Sequence, residues 1–414
     1  MKGKQLLLLL LLGALVGGAG YFLYKDNAAS WNAAGTSAGG KVLDFPINDV
    51  ARVAIKSPSG ELHLVRQGEA WTVQERADYA ADFGQVSGLI RKLWDLKTVQ
   101  EVKVGASQFA RLELVEPGKE GAAGTVVELQ DKDGKKLTGL LVGKSHLRKA
   151  AATGMMGDSE GFPAGRYVMP VGGRHVALVS DTLDNVVVKP ESWLQRDFFR
   201  IENVKSVNLE GATEAQRWTL TRETATAEWK LADAKGEEKL DSSKVGSIAT
   251  IFANASFADV LTPDAKPEDT GLDKPATATF ETFDKFTYVL KIGKVSGDSQ
   301  PLTLTVSADL PKQREPGKDE KPEDKAKLDQ EFQTTQKRLA DKLATEQKFT
   351  TRTYLIAKST LDQLLKDRAA LLEEKKPDPA PTAATPATPT KPGKPVSATT
   401  PPISIPPAPE EPPK

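Results

Sequence analysis

Two stretches far apart in the chain are variants of one another, and this duplication limits the architecture more than any other feature of the sequence. Phe45-Pro-Ile-Asn-Asp-Val-Ala-Arg-Val53 is matched by Phe199-Arg-Ile-Glu-Asn-Val-Lys-Ser-Val207, both of the form Phe-x-Ile-x-(Asp/Asn)-Val-x-x-Val. The elements that follow recur in the same order. Leu62-His-Leu-Val-Arg66 and Trp71-Thr-Val73 are answered by Trp218-Thr-Leu-Thr-Arg222 and Trp229-Lys-Leu231, each pair alternating as strands around a polar turn. Asp82 and Asp241 each stand where a helix N-terminus needs an acceptor, four residues before Val86 and Val245. Val86, Leu89, Ile90 and Leu93, and then Val245, Ile248 and Phe252, follow at helical spacing. Leu114-Val-Glu-Pro117 answers Leu272-Asp-Lys-Pro275, and Val142-Gly-Lys144 answers Ile292-Gly-Lys294. Val176–Asp184 parallels Tyr354–Asp362, both read as strand into helix.

This order predicts an α+β protein of two tandem related domains, residues 45–198 and 199–373, each a mostly antiparallel sheet with packed helices. Short hairpin-like strands precede each helix, whereas a parallel sheet would alternate strand and helix. The second copy is lengthened by a charged segment at 311–348, where Leu328, Phe332, Leu339 and Leu343 make a thin apolar stripe and predict a helical arm.

Both ends differ from this body. After the short n-region of residues 1–5, Leu6–Tyr24 is free of charge and opens on seven leucines. A helix of that length spans roughly 28 Å, enough to cross a bilayer. A retained transmembrane signal anchor is the expectation; the competing reading is a cleaved signal peptide, for which Gly18-Ala19-Gly20 supplies small residues. Lys2 and Lys4 place the N-terminus in the cytoplasm and the bulk of the chain in the periplasm or otherwise outside the cytoplasmic membrane. Residues 25–44 read as a flexible linker. Fourteen of the 27 prolines lie between Pro377 and Pro413, so residues 374–414 read as a Pro-rich disordered tail, either a spacer or a docking segment.

Composition narrows the chemistry. Lys+Arg and Asp+Glu are both 56, which leaves no basic field for nucleic acid. Cysteine is absent, which removes disulfides, thiolate nucleophiles and Cys-bound metals. The three histidines, His63, His146 and His175, lack metal-ligand spacing. Gly139-Leu-Leu-Val-Gly143-Lys144-Ser145 is one residue short of a phosphate-binding loop, and its Gly-Lys reads as a turn ending a strand. Asp131-Lys-Asp-Gly134 suits a hairpin turn better than a calcium loop, and Gly172-Gly-Arg-His175 another hairpin. His146 reads as part of a basic loop. Trp71, Trp94, Trp218 and Trp229 read as packing residues. No catalytic, cofactor-binding or metal-binding residue is therefore assigned, and no cofactor is expected.

The Val-x-x-Val strands, the Trp71 and Trp229 strands, the Asp-capped helices, the Leu-x-x-Pro turns and the Ile/Val-Gly-Lys strand ends together resemble the exported bacterial repeat proteins known as domain of unknown function forty-three forty. The resemblance covers roughly residues 45–370. Members are often encoded beside gliding-type ABC transporter subunits, so the resemblance implies an accessory or scaffold role in an envelope transport complex. The expected function is a membrane-anchored, non-enzymatic envelope protein that binds a partner of such a complex. An exported hydrolase with a carboxylate or Ser/Lys site is the alternative.

Overall fold

The computed structural model describes residues 39–148, 162–235, 238–316 and 320–373. The Leu6–Tyr24 segment, most of the 25–44 linker and the Pro-rich tail lie outside them. Among the described residues no helix is long and apolar enough to cross a membrane.

In the first half the strands are β1 (Arg52–Ser57), β2 (Gly60–Gln67), β3 (Ala70–Val73), β4 (Tyr79–Ala80), β5 (Thr98–Val102), β6 (Thr125–Gln130), β7 (Lys136–Arg148), β8 (Phe162–Pro170) and β9 (Val176–Val179), with helix α1 (Phe83–Asp95) between β4 and β5. The second half holds β10 (Val204–Glu210), β11 (Arg217–Thr221), β12 (Lys230–Leu231), helix α2 (Ser242–Thr250), β13 (Asp259–Val260), a single helical turn α3 (Pro267–Thr270), β14 (Ala276–Thr282), β15 (Phe286–Ile292) and β16 (Ser299–Ala308). It ends with the long helix α4 (Pro322–Glu346), β17 (Thr353–Ala357) and α5 (Lys358–Leu364).

The strands form two antiparallel sheets, ordered β4-β3-β2-β1-β6-β7-β8-β9-β5 and β12-β11-β10-β14-β15-β16-β17-β13. Apart from the extra edge strand β4, the two orders are identical. Equivalent side chains take equivalent places: Val53 on β1 lies between Leu64 and Leu129, and Val207 on β10 between Leu220 and Phe280. All six are buried because alternate residues of a strand share a face. Leu64 pairs with Val73, as Leu220 pairs with Leu231, so Trp229 occupies the position of Trp71. Trp71 and Trp218 are buried, whereas Trp94 and Trp229 are only partly covered, Trp229 lying under the Arg222 guanidinium at 4.7 Å. Among the described residues the most enclosed tryptophan is Trp193, which carried no sequence signal.

The helices follow their caps. Asp82 accepts from the Gln85 N–H at 3.0 Å, and Asp241 from the N–H groups of Ser243 and Lys244. The Ser243 hydroxyl and these amides hold the Asp241 carboxyl below its usual range. Val86, Leu89, Ile90 and Leu93 face the core from α1, and Val245 and Ile248 from α2.

Three local expectations are corrected. The end of the supposed linker, residues 39–43, runs beside residues 96–98: Gly39 and Val42 donate to the carbonyls of Thr98 and Leu96, and Leu43 is buried. Apolar side chains and paired amides hold it, which a Gly/Ala/Ser composition does not reveal. No helix follows β9, although α5 follows β17. Asp181 accepts from the Leu183 N–H, and Leu183 adopts a left-handed φ of 49°, which ends helical continuation. Finally, Gly143-Lys144 lies inside β7, not in a turn.

The reason for glycine there is a close approach. A Cβ at Gly143 would stand 2.3 Å from the Leu112 carbonyl oxygen, and one at Gly293 would stand 2.2 Å from that of Thr270. Leu112 and Thr270 each end a short helical turn whose next residue, Glu113 or Gly271, is left-handed. The same turn is thus pressed onto the same strand in both halves.

The copies differ on their second faces. In the first sheet Val126 pairs with Leu141, and both join a small apolar cluster with Leu114, Met169 and Val176. The equivalent pair in the second sheet is Thr277 and Lys291, on a polar face.

The described residues belong to one compact unit, and one apolar core runs through both halves. At the junction Arg76 reaches Asp259 through Nε and Nη2, both at 2.7 Å, and lies 3.6 Å from Glu191. Both Arg76 and Asp259 are about four-fifths covered, so removing one leaves a poorly solvated charge. Arg76→Met is expected to cost about 2 kcal/mol, discounted for partial exposure. Adding Asp259→Asn should recover part of that loss, and additive losses in chemical denaturation would show that the pair does not couple the halves.

Candidate functional site

The two halves differ most in the connection before their last sheet-forming strand. Between β8 and β9 a tight turn through Gly172 suffices, but between β16 and β17 the chain runs through residues 309–352 and forms α4. Pro322 at the first turn, with Glu323 and Asp324 beside it, suits a helix N-terminus, and the Lys, Glu, Gln, Ala and Leu that follow are good helix formers. Of the expected apolar stripe, Leu339 is buried and Leu343 packs partly on the core, while Leu328 and Phe332 are half-buried.

The last turns of α4 return to the segment that joins the two halves. Glu346, 5% exposed, is the one buried Asp, Glu, Lys, Arg or His among the described residues. Its Oε1 accepts the Arg200 backbone N–H at 3.1 Å, and its Oε2 accepts the Tyr288 hydroxyl at 2.6 Å. Lys342, one turn earlier, donates to the Arg200 carbonyl at 3.0 Å and pairs with Glu202 at 3.4 Å. Both backbone groups of Arg200 are therefore held by side chains of a helix more than a hundred residues away. Burial, reinforced by the Glu346 carboxylate, pushes the Tyr288 hydroxyl well above the ordinary tyrosine range, so it remains a donor.

Between α4 and this segment lies a cleft of about 670 Å³. Arg196, Phe198 and Arg200 line it from the joining segment, Asn254 from beyond α2, and Arg338 and Phe349 from α4 and the turn after it. Phe198 and Phe349 meet edge-on at 5.5 Å, backed by Tyr354 and Phe257. Arg196 donates to the carbonyls of Phe257, Ala258 and Glu191, which stiffens the wall.

The residues weighed for chemistry lie elsewhere and are not brought together. His63 on β2 meets Glu75 at 2.8 Å. His146, expected in a basic loop, is on β7, 3.2 Å from the Tyr167 hydroxyl, and His175 is 3.4 Å from Glu101. Among the described residues no three His, Asp or Glu side chains are grouped to hold a metal. The Gly139–Lys144 lookalike is extended strand, its residues 139–142 paired with β6, and Asp131–Gly134 closes the β6–β7 hairpin, with Asp131 accepting from the N–H groups of Asp133 and Lys135. None of the cleft residues was singled out in the sequence. The one available signal was that α4 interrupts an otherwise regular duplication.

Fold and cleft together define a duplicated, two-sheet antiparallel protein whose joining segment is clamped by a helix peculiar to the second copy. Residues 71–275 match the family model described as Domain of unknown function (DUF4340), and the chain carries a domain of that family. The match is narrower than the 45–370 suggested by the sequence motifs: it runs from β3 through the joining segment to just before β14, and stops short of α4. Neither curated proteins nor solved structures give a match.

Proposed function

We propose that this protein is a membrane-anchored, exported envelope protein that acts by binding, as an accessory or scaffold subunit of an ABC-type transport or gliding-related complex. The observation that carries the reading is the clamp at Arg200. The buried carboxylate of Glu346 holds a backbone position beside an open cleft, an arrangement suited to presenting a rigid surface. The uncharged Leu6–Tyr24 segment behind Lys2 and Lys4 supports attachment to the membrane. Tethering would raise the local concentration of the body near a membrane partner.

The test is purification from membranes with an affinity tag placed before the Pro-rich tail. ABC-type transporter subunits are expected to co-purify, and deletion of Leu6–Tyr24 should abolish their recovery. Changing His63, His146 and His175 together to Gln should leave recovery intact. Full function of the untethered body, or loss of function in a stably folded triple-His variant, would overturn the proposal.

A further inference from the structure

We propose that the mouth of the α4 cleft is a carboxylate-binding site, in which Arg200 and Arg338 receive an acidic side chain from a peptide segment of a protein partner. This deepens the binding reading above by naming the chemistry through which a partner is held.

Arg338, Lys342 and Glu346 stand at successive i, i+4 positions and share one ridge of α4. Glu346 is buried and holds Tyr288 and the Arg200 N–H; Lys342 is half-buried and holds the Arg200 carbonyl and Glu202. Arg338 lies one turn further out, is exposed, and its guanidinium has no partner among the described residues. The Arg200 guanidinium is likewise without a partner there, although its backbone is held at both the N–H and the C=O. A pinned backbone reduces the freedom that a ligand would otherwise have to remove on binding. Fixing the main chain of one exposed arginine with a buried carboxylate suits a residue that must present its side chain in a set place.

Donors without acceptors select the ligand. Glu202 is engaged by Lys342, Asp197 by the Gln195 amide, and Glu346 by Tyr288. Among the carboxylates on the lining this leaves Asp341 unengaged, against the two free guanidiniums of Arg200 and Arg338. The lining as a whole is balanced, with Arg196, Arg200, Arg338 and Lys342 against Asp197, Glu202, Asp341 and Glu346, so the pull on an anion is local to the two guanidiniums that lack acceptors, and the carboxylates repel a singly charged acid less than a dianion such as phosphate. Guanidinium groups suit planar carboxylates through paired N–H donors. The Phe198–Phe349 wall offers apolar contact to the residues flanking that acid, as a peptide would supply and a free small acid would not.

The experiment uses the full chain in detergent and a panel of end-capped hexapeptides, each with one Glu between apolar residues, alongside the same peptides with Gln. Binding is read by calorimetry. The Glu peptides are expected to bind about tenfold or more tightly than the Gln peptides, with the difference shrinking as salt rises. Arg200→Gln and Arg338→Gln should each erode that preference about tenfold, without moving the melting temperature, because neither guanidinium makes an internal bond. Equal binding of both peptide sets, or an unchanged preference in the double variant, would overturn the site. Competition by inorganic phosphate as strong as that of the Glu peptides would also overturn it, in favour of a phosphate site. If the peptides fail while transporter subunits still co-purify, the carboxylate site falls and the scaffold reading stands. If they bind as expected but no transporter subunit is recovered, the scaffold reading fails and the site remains.

Discussion

Glu346→Ala is expected to lower the stability of the folded body by about 3–5 kcal/mol, because it strands a buried and a part-buried donor at once. The Tyr288 hydroxyl and the Arg200 N–H both lose their acceptor, the first of them in a buried setting. A loss of that size should appear as a fall of about 5–10 °C in the thermal midpoint. Glu346→Gln should cost less, since its amide oxygen can still accept one of the two bonds. The double variant Glu346→Ala with Tyr288→Phe should be more stable than the sum of the single losses, because an apolar ring no longer needs a partner. A fall below about 1 kcal/mol for Glu346→Ala would mean that the clamp carries no load. In that event the preorganisation of Arg200 would also lose its support.

The second large effect is expected from two glycines in equivalent places. Gly143→Ala and Gly293→Ala would each drive a methyl group to within 2.3 Å and 2.2 Å of a main-chain carbonyl oxygen. Backbone cannot step aside as a side chain can, so each substitution is expected to cost about 3 kcal/mol or more. Gly88 on α1 and Gly246 on α2 serve as controls, because a Cβ there meets nothing within 4 Å. Their replacement by Ala should be neutral or stabilising by about 0.5–1 kcal/mol, since glycine is a poor helix former. Tolerance of alanine at either Gly143 or Gly293, measured by denaturant titration, would show that the two close approaches are not equivalent. The pair thus probes the duplication through energetics and not through sequence likeness.

The strands and the first helices of each half were legible because their information is local. Val53 and Val207, Leu64 and Leu220, and the runs after Asp82 and Asp241 announce their faces through spacing of two or of three to four residues. The Gly-Lys pairs were visible as repeated residues, yet their meaning was not. A close approach between Gly143 and Leu112 depends on a turn 31 residues earlier in the chain folding back on the strand. Likewise, the parallel between Val176–Asp184 and Tyr354–Asp362 held for the strand and failed after it. There a short-range bond from Leu183 to Asp181 outweighed the helical spacing.

By itself the sequence determined the order of elements, the antiparallel pairing of short strands, and the point at which the second copy departs from the first. Those follow from periodicity, capping and turn chemistry, which act over a few residues and survive any arrangement of the rest. Only the tertiary structure decided what the charged insertion is for. Glu346 is one of many acidic residues in a charged stretch, and nothing in its neighbours marks it as the one carried into the core beside Tyr288. Arg76 finds Asp259 at a separation of 183 residues, and Arg200 finds both Glu346 and Lys342 at separations above 140. A charge can choose among many partners of opposite sign, and only the closure of the two sheets around a common core selects which of them meet. The clamp and its cleft therefore belong to the packing of the whole chain.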